Sequence, residues 1–358
     1  MGRRPGRGPR RLCGRNALAF PRRGVRPGSP SRLPLPQHGV DRYNTGVFLR
    51  RAAMSLARRD LLRRTLIGAG AVATGACRGA DTSLAAEADA GTYDPYERVD
   101  LGRTGLKVSR VGFGTGMRGG NRQSNQTRLG KKGFETLLRE SYDRGVRYFD
   151  LADMYGTHPF IPGALGKLPR DSYVLLTKIW VRKGGIPEPE RPDADVVVER
   201  FRKELQTDVI DLVLIHCMTD ADWNVKQRKQ MDILADLKAK GVIRAHGVSI
   251  HSLPALEACA TEPWVDSVNA RINAYGAKMD DRDPEKVAAV LARIRAAGKG
   301  VVGMKLVGEG TFRDDEEKKN KSIEFVLRRG LADTMAVGYE NLAELDDFAR
   351  RVRQVKRA

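Results

Sequence analysis

Short apolar runs and amphipathic segments alternate regularly along the chain from about residue 98 onward. The apolar runs are rich in β-branched, Leu and aromatic residues, which predicts buried strands beginning near residues 110, 147, 172, 209, 243, 265, 300 and 332. Segments with helical periodicity follow them at 132–144, 162–167, 194–206, 226–240, 254–260, 284–297, 316–329 and 341–355. Eight strand–helix units over about 260 residues predict an α/β fold, a (β/α)8 TIM barrel.

A hairpin is predicted before the first barrel strand, from Val99 to Val108 with Gly105 in the turn. A doubly wound open sheet is the alternative arrangement of alternating strands and helices. The first strand, however, continues into Gly112-Phe-Gly-Thr-Gly116, which lacks the full dinucleotide-binding fingerprint and is not followed directly by a helical segment. We therefore prefer the barrel with an N-terminal hairpin.

Positive charge is concentrated at the start of the chain. The 358 residues carry a formal net charge of +20. Residues 1–53 contribute +12 through thirteen arginines and one aspartate, residues 54–80 contribute +4, and residues 81–358 hold only +4. A uniformly basic protein would indicate a nucleic-acid partner. Because the excess lies outside the predicted barrel, we expect no nucleic-acid binding by the folded part, and that alternative depends on residues 1–53.

Composition divides the chain into three predicted regions. Residues 1–53 are rich in Arg, Pro and Gly without apolar periodicity, so we expect them to bury no core and to lie outside the natural protein, which would start at Met54. Residues 54–91 predict an export signal and linker, with a basic start and an apolar stretch too short to span a bilayer. Residues 92–358 form the predicted barrel.

The leader contains Arg58-Arg59-Asp60-Leu61-Leu62-Arg63, which resembles a twin-arginine export motif. We expect a periplasmic protein without stable membrane insertion once the signal is removed. A cytoplasmic location is the alternative, and a lipid anchor on Cys77 stays open. The four cysteines include no C-x-x-C pair, which argues against a zinc ribbon or an iron–sulfur cluster, and Cys217 and Cys259 are expected to be small core residues.

Polar residues stand at the C-terminal ends of three successive predicted strands. The stretch GVRYFDLADMYG presents Asp150 and Tyr155, SYVLLTKIW presents Lys178, and VIDLVLIHC presents His216. Each alone has a structural interpretation: a helix cap, a loop plug, a lysine at a strand end or a core histidine. The carboxyl ends of barrel strands meet at one face, so we expect the four side chains to converge in a catalytic site.

Their chemistry suits the reduction of a carbonyl group. A Tyr hydroxyl can donate the proton that the oxygen needs, although its ordinary pKa near ~10 makes it a weak acid. We expect the Lys178 ammonium to lower the pKa of Tyr155, and Asp150 to keep Lys178 charged and oriented. A neutral His216 would hold the substrate oxygen in line.

The segments FDLADMYG, LLTKIW, DLVLIH and GVS, with LGRTGLKVSRVGFGTG before them, resemble the aldo-keto reductase superfamily over about residues 98–355. The resemblance implies a (β/α)8-barrel oxidoreductase that uses NADPH or NADH on a small-molecule carbonyl substrate, an aldehyde or ketone. It implies a catalytic tetrad of Asp150, Tyr155, Lys178 and His216. The cofactor contacts that it implies are Gly114, Thr115, Ser249, Asn269, Met304, Lys305, Gly338 and Asn341.

Some positions depart from the pattern of the superfamily. Ile250 follows Ser249 where an Asn is usual, and Asn269 replaces the usual Gln. Met304-Lys305 resembles a subgroup that carries Met-Lys in place of a stacking aromatic residue, but the chain lacks the iron–sulfur extension of some of its members. His251, close to Ser249, is expected to be solvated.

Near the adenine end of the expected cofactor, Gly338, Glu344 and Phe348 occupy positions where the family offers cations and an Asn. This set suits a 2′-phosphate poorly, so NADH is expected beside NADPH. A nucleotide-sensing barrel with little turnover is the alternative function. The oligomeric state is not predicted.

Overall fold

An antiparallel hairpin begins the folded part of the chain in this computed structural model, which describes residues 91–357. Its strands are β1 (Arg98–Asp100) and β2 (Lys107–Ser109). Gly105 in the turn has a φ of 75°, which glycine adopts without steric cost. The predicted hairpin is confirmed. The predicted leader regions, 1–53 and 54–91, lie outside the described residues except for residue 91.

Eight parallel strands form a closed barrel after the hairpin. Each strand pairs with the next along the chain, and the last pairs with the first through Met335 opposite Val111. The predicted (β/α)8 barrel is therefore confirmed. The strands are β3 (Val111–Gly114), β4 (Tyr148–Asp150), β5 (Val174–Ile179), β6 (Ile210–Met218), β7 (Ile243–Ile250), β8 (Ser267–Arg271), β9 (Gly300–Met304) and β10 (Thr334–Val337).

Helices follow the strands, and each buries one apolar stripe. Within residues 91–357, no helix is both long enough and apolar enough to cross a membrane. The predicted segment 226–240 is divided because Gln227 leaves the helical conformation. The helices are α1 (Gly130–Asp143), α2 (Ile161–Leu165), α3 (Ala194–Leu205), α4 (Trp223–Lys226), α5 (Arg228–Ala239), α6 (Leu253–Thr261), α7 (Pro284–Ala296), α8 (Glu316–Arg328) and α9 (Leu342–Gln354).

The hairpin covers the amino end of the barrel with apolar side chains. Leu101, Leu106 and Val108 are buried together with inward-facing residues of β4, β5 and β6. Leu101 packs against Gly300, the first residue of β9, so closely that a Cβ on Gly300 would lie 2.7 Å from the Leu101 Cγ. Burying a Leu side chain stabilises the fold by about 1.5–3 kcal/mol. The amino end is therefore closed, and the carboxyl end is left for the polar residues.

Candidate active site

The four polar residues predicted to converge do meet at the carboxyl end of the barrel. Asp150 ends β4, Lys178 and His216 lie near the ends of β5 and β6, and Tyr155 ends a short 3-10 turn after β4. The Lys178 ammonium contacts an Asp150 carboxylate oxygen and donates to the Leu151 carbonyl oxygen at 2.9 Å. The Tyr155 hydroxyl lies 3.4 Å from the His216 Nε2. Convergence of these side chains therefore needs only the parallel order of the strands.

Tyr155 is held between the ammonium group and a glycine-containing loop. The Lys178 Nζ lies 5.0 Å from the centroid of the Tyr155 ring. On the loop side, a Cβ added at Gly116 or Gly119 would lie 2.4 or 2.5 Å from ring atoms of Tyr155. Any larger residue at these two positions would displace the ring. The phenol is thus fixed in one place while staying partly exposed.

Ion pairs hold that loop over Tyr155. The Arg122 Nε donates to Asp153 Oδ1 at 3.0 Å, and Arg200 from α3 donates to Asp153 Oδ2 at 2.6 Å. Arg122 also contacts Glu190, in the loop between β5 and α3. Sequence reasoning missed this network, since the partners are far apart in the chain and no short motif joins them.

The carboxylate of Asp150 has two buried partners. Besides the Lys178 ammonium, the Asn269 Nδ2 donates to Asp150 Oδ2 at 2.7 Å. The Oδ1 of Asn269 and the Oγ of Ser249, in contrast, are buried without a hydrogen-bond partner among the described residues. A primary carboxamide, which offers two donors and an acceptor, matches these two atoms. The residues present therefore fit the carboxamide of a nicotinamide ring.

The pKa of Tyr155 does not move in the expected direction. Burial raises it well above 10, and the charge of Asp150 and the nearby Cys217 raise it further. Burial lowers the pKa of Lys178, while Asp150 opposes that change. The expected lowering of the Tyr155 pKa is absent because burial outweighs an ammonium that Asp150 already neutralises. Tyr155 consequently keeps its proton at neutral pH.

His216 is neutral in this site. Burial lowers its pKa well below 6.5, and the charges of Lys178, His251 and Arg182 act in the same direction. Its Nδ1 is buried without a hydrogen-bond partner among the described residues. Trp180 packs edge-on against the imidazole with ring centroids 5.3 Å apart. A neutral imidazole beside a protonated phenol leaves two polar groups available to one oxygen atom.

His251 and Cys217 occupy other environments than the sequence predicts. His251 was expected to be solvated, yet burial together with Arg271 and Lys305 lowers its pKa to about 3. Cys217 was expected in the core, but it is partly exposed and has a φ of 66°. The chain leaves the regular strand conformation at Cys217, which turns its side chain out of the packed interior. Cys259 is buried, as predicted.

Two further predicted cofactor residues lie near the catalytic group. The Met304 Sδ is 3.9 Å from the Asn269 Nδ2. Lys305 lies directly after β9 with a φ of 63°, and its ammonium donates to Glu309 at 2.9 Å. The charge of Lys305 also lowers the pKa of Lys178. Met304 therefore places a thioether beside the Asn269 amide, while the Lys305 ammonium is paired with Glu309.

The remaining predicted cofactor residues make internal contacts. Gly114 ends β3, and Thr115 donates through its Oγ1 to the Asp150 carbonyl oxygen at 2.8 Å. A Cβ on Gly338 would lie 2.4 Å from the Met117 Cγ. Asn341 caps α9 by accepting the backbone N–H of Glu344 at 3.1 Å. Their assignment to a cofactor stays a prediction.

Two positions expected near the adenine group have other partners. Phe348 is 4 % exposed and belongs to the apolar core. Glu344 accepts from Arg313 at 2.7 Å and from the Glu340 backbone N–H at 2.9 Å. Neither a carboxylate nor a phenyl ring provides the cation or the amide that would bind a phosphate.

The chain is a closed parallel (β/α)8 barrel that brings Asp150, Lys178, Tyr155 and His216 together at its carboxyl end. The sequence model of the aldo/keto reductase family matches residues 110–356. The chain belongs to the aldo/keto reductase family.

Relatives and solved structures agree with this assignment. The chain is 26% identical over 232 residues to the aldo-keto reductase YhdN of Bacillus subtilis, covering 62% of this chain and 68% of the relative. It is 30% identical over 173 residues to an NADH-specific methylglyoxal reductase of Escherichia coli, covering 43% and 52%. A holo aldo-keto reductase of Bacillus halodurans shares the fold with a TM-score of 0.59 at 20% identity, over 74% of this chain and 92% of that one. The match thus spans about half to two thirds of these curated relatives.

Proposed function

We propose that the protein reduces a small aldehyde or ketone to an alcohol with NADPH or NADH, or catalyses the reverse oxidation. One observation carries the proposal: a phenol that keeps its proton at neutral pH lies 3.4 Å from a neutral imidazole, beside a buried ammonium–carboxylate pair. That combination provides an acid and a hydrogen-bonding partner at one point, which is what a carbonyl oxygen requires as negative charge develops on it.

Each residue of the group has a separate task in this proposal. The reduced nicotinamide supplies a hydride to the carbonyl carbon when it is bound. Tyr155 donates its proton to the oxygen as the carbon–oxygen double bond becomes single, and His216 orients that oxygen. Lys178, fixed by Asp150, stabilises the phenolate that remains. Tyr155 then regains a proton from solvent, to which it is partly exposed.

The cofactor assignment rests on both ends of the expected nucleotide. Ser249 and Asn269 would hold the carboxamide through their unpartnered atoms, and Met304 would lie beside the ring. Relatives point to both nucleotides, since one is an NADH-specific methylglyoxal reductase and a solved aldo-keto reductase of Klebsiella pneumoniae is in complex with NADPH. We propose that NADH is accepted because neither Glu344 nor Phe348 can bind a 2′-phosphate.

Export is a separate proposal. It rests on the paired arginines and the apolar stretch of residues 54–76. Twin-arginine export transports folded protein, which would allow a nucleotide to be bound before transport. Fractionation of cells expressing the chain from Met54 onward and its Arg58→Lys/Arg59→Lys variant tests it, because only the unchanged leader is expected to deliver protein to the periplasm.

The reductase is tested by steady-state turnover of methylglyoxal with NADPH and with NADH. We expect Tyr155→Phe to lower turnover by about 100- to 10,000-fold, because the proton donor is lost, while nucleotide binding is retained. Tyr142→Phe removes a hydroxyl that bonds to Ser172 far from the site and should leave turnover unchanged. Nucleotide binding without turnover in the unchanged protein would contradict the proposal, as would equal turnover by Tyr155→Phe.

A further inference from the structure

An open cavity of about 200 Å³ lies at the carboxyl ends of β5 and β6, and Cys217, the residue after His216, lines it. Its wall includes residues that follow the two strands carrying Lys178 and His216. Trp223 and Lys226 of α4 complete the side away from the barrel. The catalytic group and the cavity therefore share one face of the barrel. The cavity residues that bear on its ligand are Arg182, Lys183, Cys217, Asp220, Trp223 and Lys226.

Arg182 forms no salt bridge within residues 91–357, although its charge, after the larger effect of Lys226, helps to lower the pKa of Asp220. Its Nη1 donates to the Cys217 carbonyl oxygen at 3.0 Å and to the Cys217 Sγ at 3.1 Å, and it is half-buried. Within residues 91–357, no carboxylate forms an ion pair with it and no acceptor is bonded to its Nε or Nη2. By contrast, Lys226 in the same cavity pairs with Asp220 at 2.8 Å and with Asp222 at 2.9 Å. The cavity thus contains one partly buried guanidinium that forms no ion pair, while the nearby carboxylate of Asp220 is paired with Lys226.

The charge of Arg182 is felt at the catalytic histidine. It is among the cations that lower the pKa of both His216 and His251. Removing a guanidinium from water without a counter-ion is unfavourable, and a bound anion would offset that cost. The Nε and Nη2 donors lie on one edge of the guanidinium, which matches the two oxygens of a carboxylate.

We propose that the carbonyl substrate carries a carboxylate and that Arg182 binds it, while the carbonyl oxygen lies between Tyr155 and His216. This inference rests on the proposed reductase function and adds the chemical class of its substrate, an aldehyde acid or keto acid. The exposed Lys183 strengthens the positive potential at the mouth of the cavity. The unpartnered Ser249 and Asn269 atoms lie on β7 and β8, so the anion site is distinct from the expected nicotinamide site.

The test compares 4-oxobutanoate with its uncharged methyl ester in the full chain. In the unchanged protein we expect kcat/KM to favour the acid by about 10- to 100-fold, the value of a hydrogen-bonded ion pair, mostly through KM. Arg182→Gln should abolish that preference and leave the ester within about twofold of its original kcat/KM, since the ester makes no ion pair. Arg182→Lys should restore part of the preference. Arg293→Gln removes an exposed arginine of α7 and should leave kcat/KM unchanged for both substrates.

Other outcomes would overturn the proposal. Equal kcat/KM for acid and ester in the unchanged protein would show that no anion site exists. An equal loss of kcat/KM for both substrates in Arg182→Gln would mean that Arg182 acts by supporting Cys217. A raised KM for the nucleotide would mean that Arg182 acts on the cofactor. Failure of the reductase function is distinguishable, because the ester would then not be reduced at all. In that case, quenching of tryptophan fluorescence by 4-oxobutanoate, weakened by at least about tenfold in Arg182→Gln, still decides whether the anion site exists.

Discussion

The two ends of the barrel differ in the side chains that they bury. At the amino end, Leu101, Leu106 and Val108 of the hairpin fill the opening with apolar side chains. At the carboxyl end, Asp150 and Lys178 are buried as an ion pair. Buried charge contributes little net stability, whereas buried apolar area contributes a large amount. We infer that the amino end stabilises the barrel and that the carboxyl end retains a costly polar group for chemistry.

The difference also appears in how completely polar atoms are paired. The Ser249 Oγ, the Asn269 Oδ1 and the His216 Nδ1 are buried at the carboxyl end without partners among the described residues. Each such atom costs free energy unless a ligand satisfies it. The amino end also contains a buried polar atom without a partner among the described residues, the Ser267 Oγ at the start of β8. Ser267 is therefore an internal control for the interpretation that the carboxyl-end atoms await a ligand.

The largest expected effect comes from breaking the buried ion pair. Lys178→Met leaves Asp150 buried with only Asn269 as a partner and should lower the free energy of unfolding by about 3–5 kcal/mol at neutral pH. Adding Asp150→Asn removes the unpaired charge, so the double variant should be more stable than the single one. Turnover should be almost absent in both. Chemical denaturation of the three proteins provides the measurement, and a double variant less stable than Lys178→Met would show that the pair is retained for stability.

The hairpin should give the opposite pattern. Leu101→Ala leaves a cavity at the closed end and should lower the free energy of unfolding by about 2–5 kcal/mol. We expect kcat to stay within about twofold of its original value, because no catalytic atom is moved. Val196→Ala, at an exposed position of α3, is the control and should change stability little. A large loss of kcat in a folded Leu101→Ala protein would contradict the separation of the two ends.

Acid should destabilise the carboxyl end through its histidines. The pKa of His251 in the folded protein is about 3 against an ordinary value of 6.5. Between these values the unfolded chain binds a proton that the folded chain does not, so stability is lost as pH falls from about 6.5 towards 3. His251→Gln should reduce that slope by about 1.4 kcal/mol per pH unit. Stability–pH curves of equal slope for the two proteins would refute this assignment.

The smallest expected effect compares two buried serines. Ser249→Ala should weaken nucleotide binding by about five- to tenfold, because one hydrogen bond to the carboxamide is lost. Ser267→Ala removes an equally unpartnered hydroxyl at the other end and should leave nucleotide affinity unchanged. Fluorescence titration with NADH measures both. Equal NADH affinities of the two variants would show that Ser249 does not bind the cofactor.

Much of the architecture was predictable because barrel topology follows from the order of elements. Alternating strands and helices gave the barrel, and the position of Asp150, Lys178 and His216 at strand ends gave their convergence. Short-range motifs suffice when neighbouring strands are parallel and consecutive, since the carboxyl ends of such strands lie at one face of the barrel. Sequence periodicity did not reveal the interruption at Gln227, which depends on a single residue.

Properties that depend on loops and burial were not predictable. The raised pKa of Tyr155 results from how deeply the phenol is enclosed, which residue identity does not specify. The bond between Asn269 and Asp150 joins residues 119 positions apart, and Arg182 became a candidate only when its lack of a salt bridge was visible. Gly338 and Asn341 make packing and capping contacts within the chain, and their predicted contact with a cofactor stays a prediction.

The transfer of deuterium from nucleotide to product tests the reductase most directly. The full chain is incubated with NADH or NADPH deuterated on the transferred position of C4 and with methylglyoxal, and the alcohol is examined by mass spectrometry. We expect one deuterium on the carbon that was the carbonyl carbon, and almost no labelled alcohol from Tyr155→Phe in the same time. Bound nucleotide without labelled alcohol would show that the protein is not a reductase and would leave the barrel as a nucleotide-binding protein.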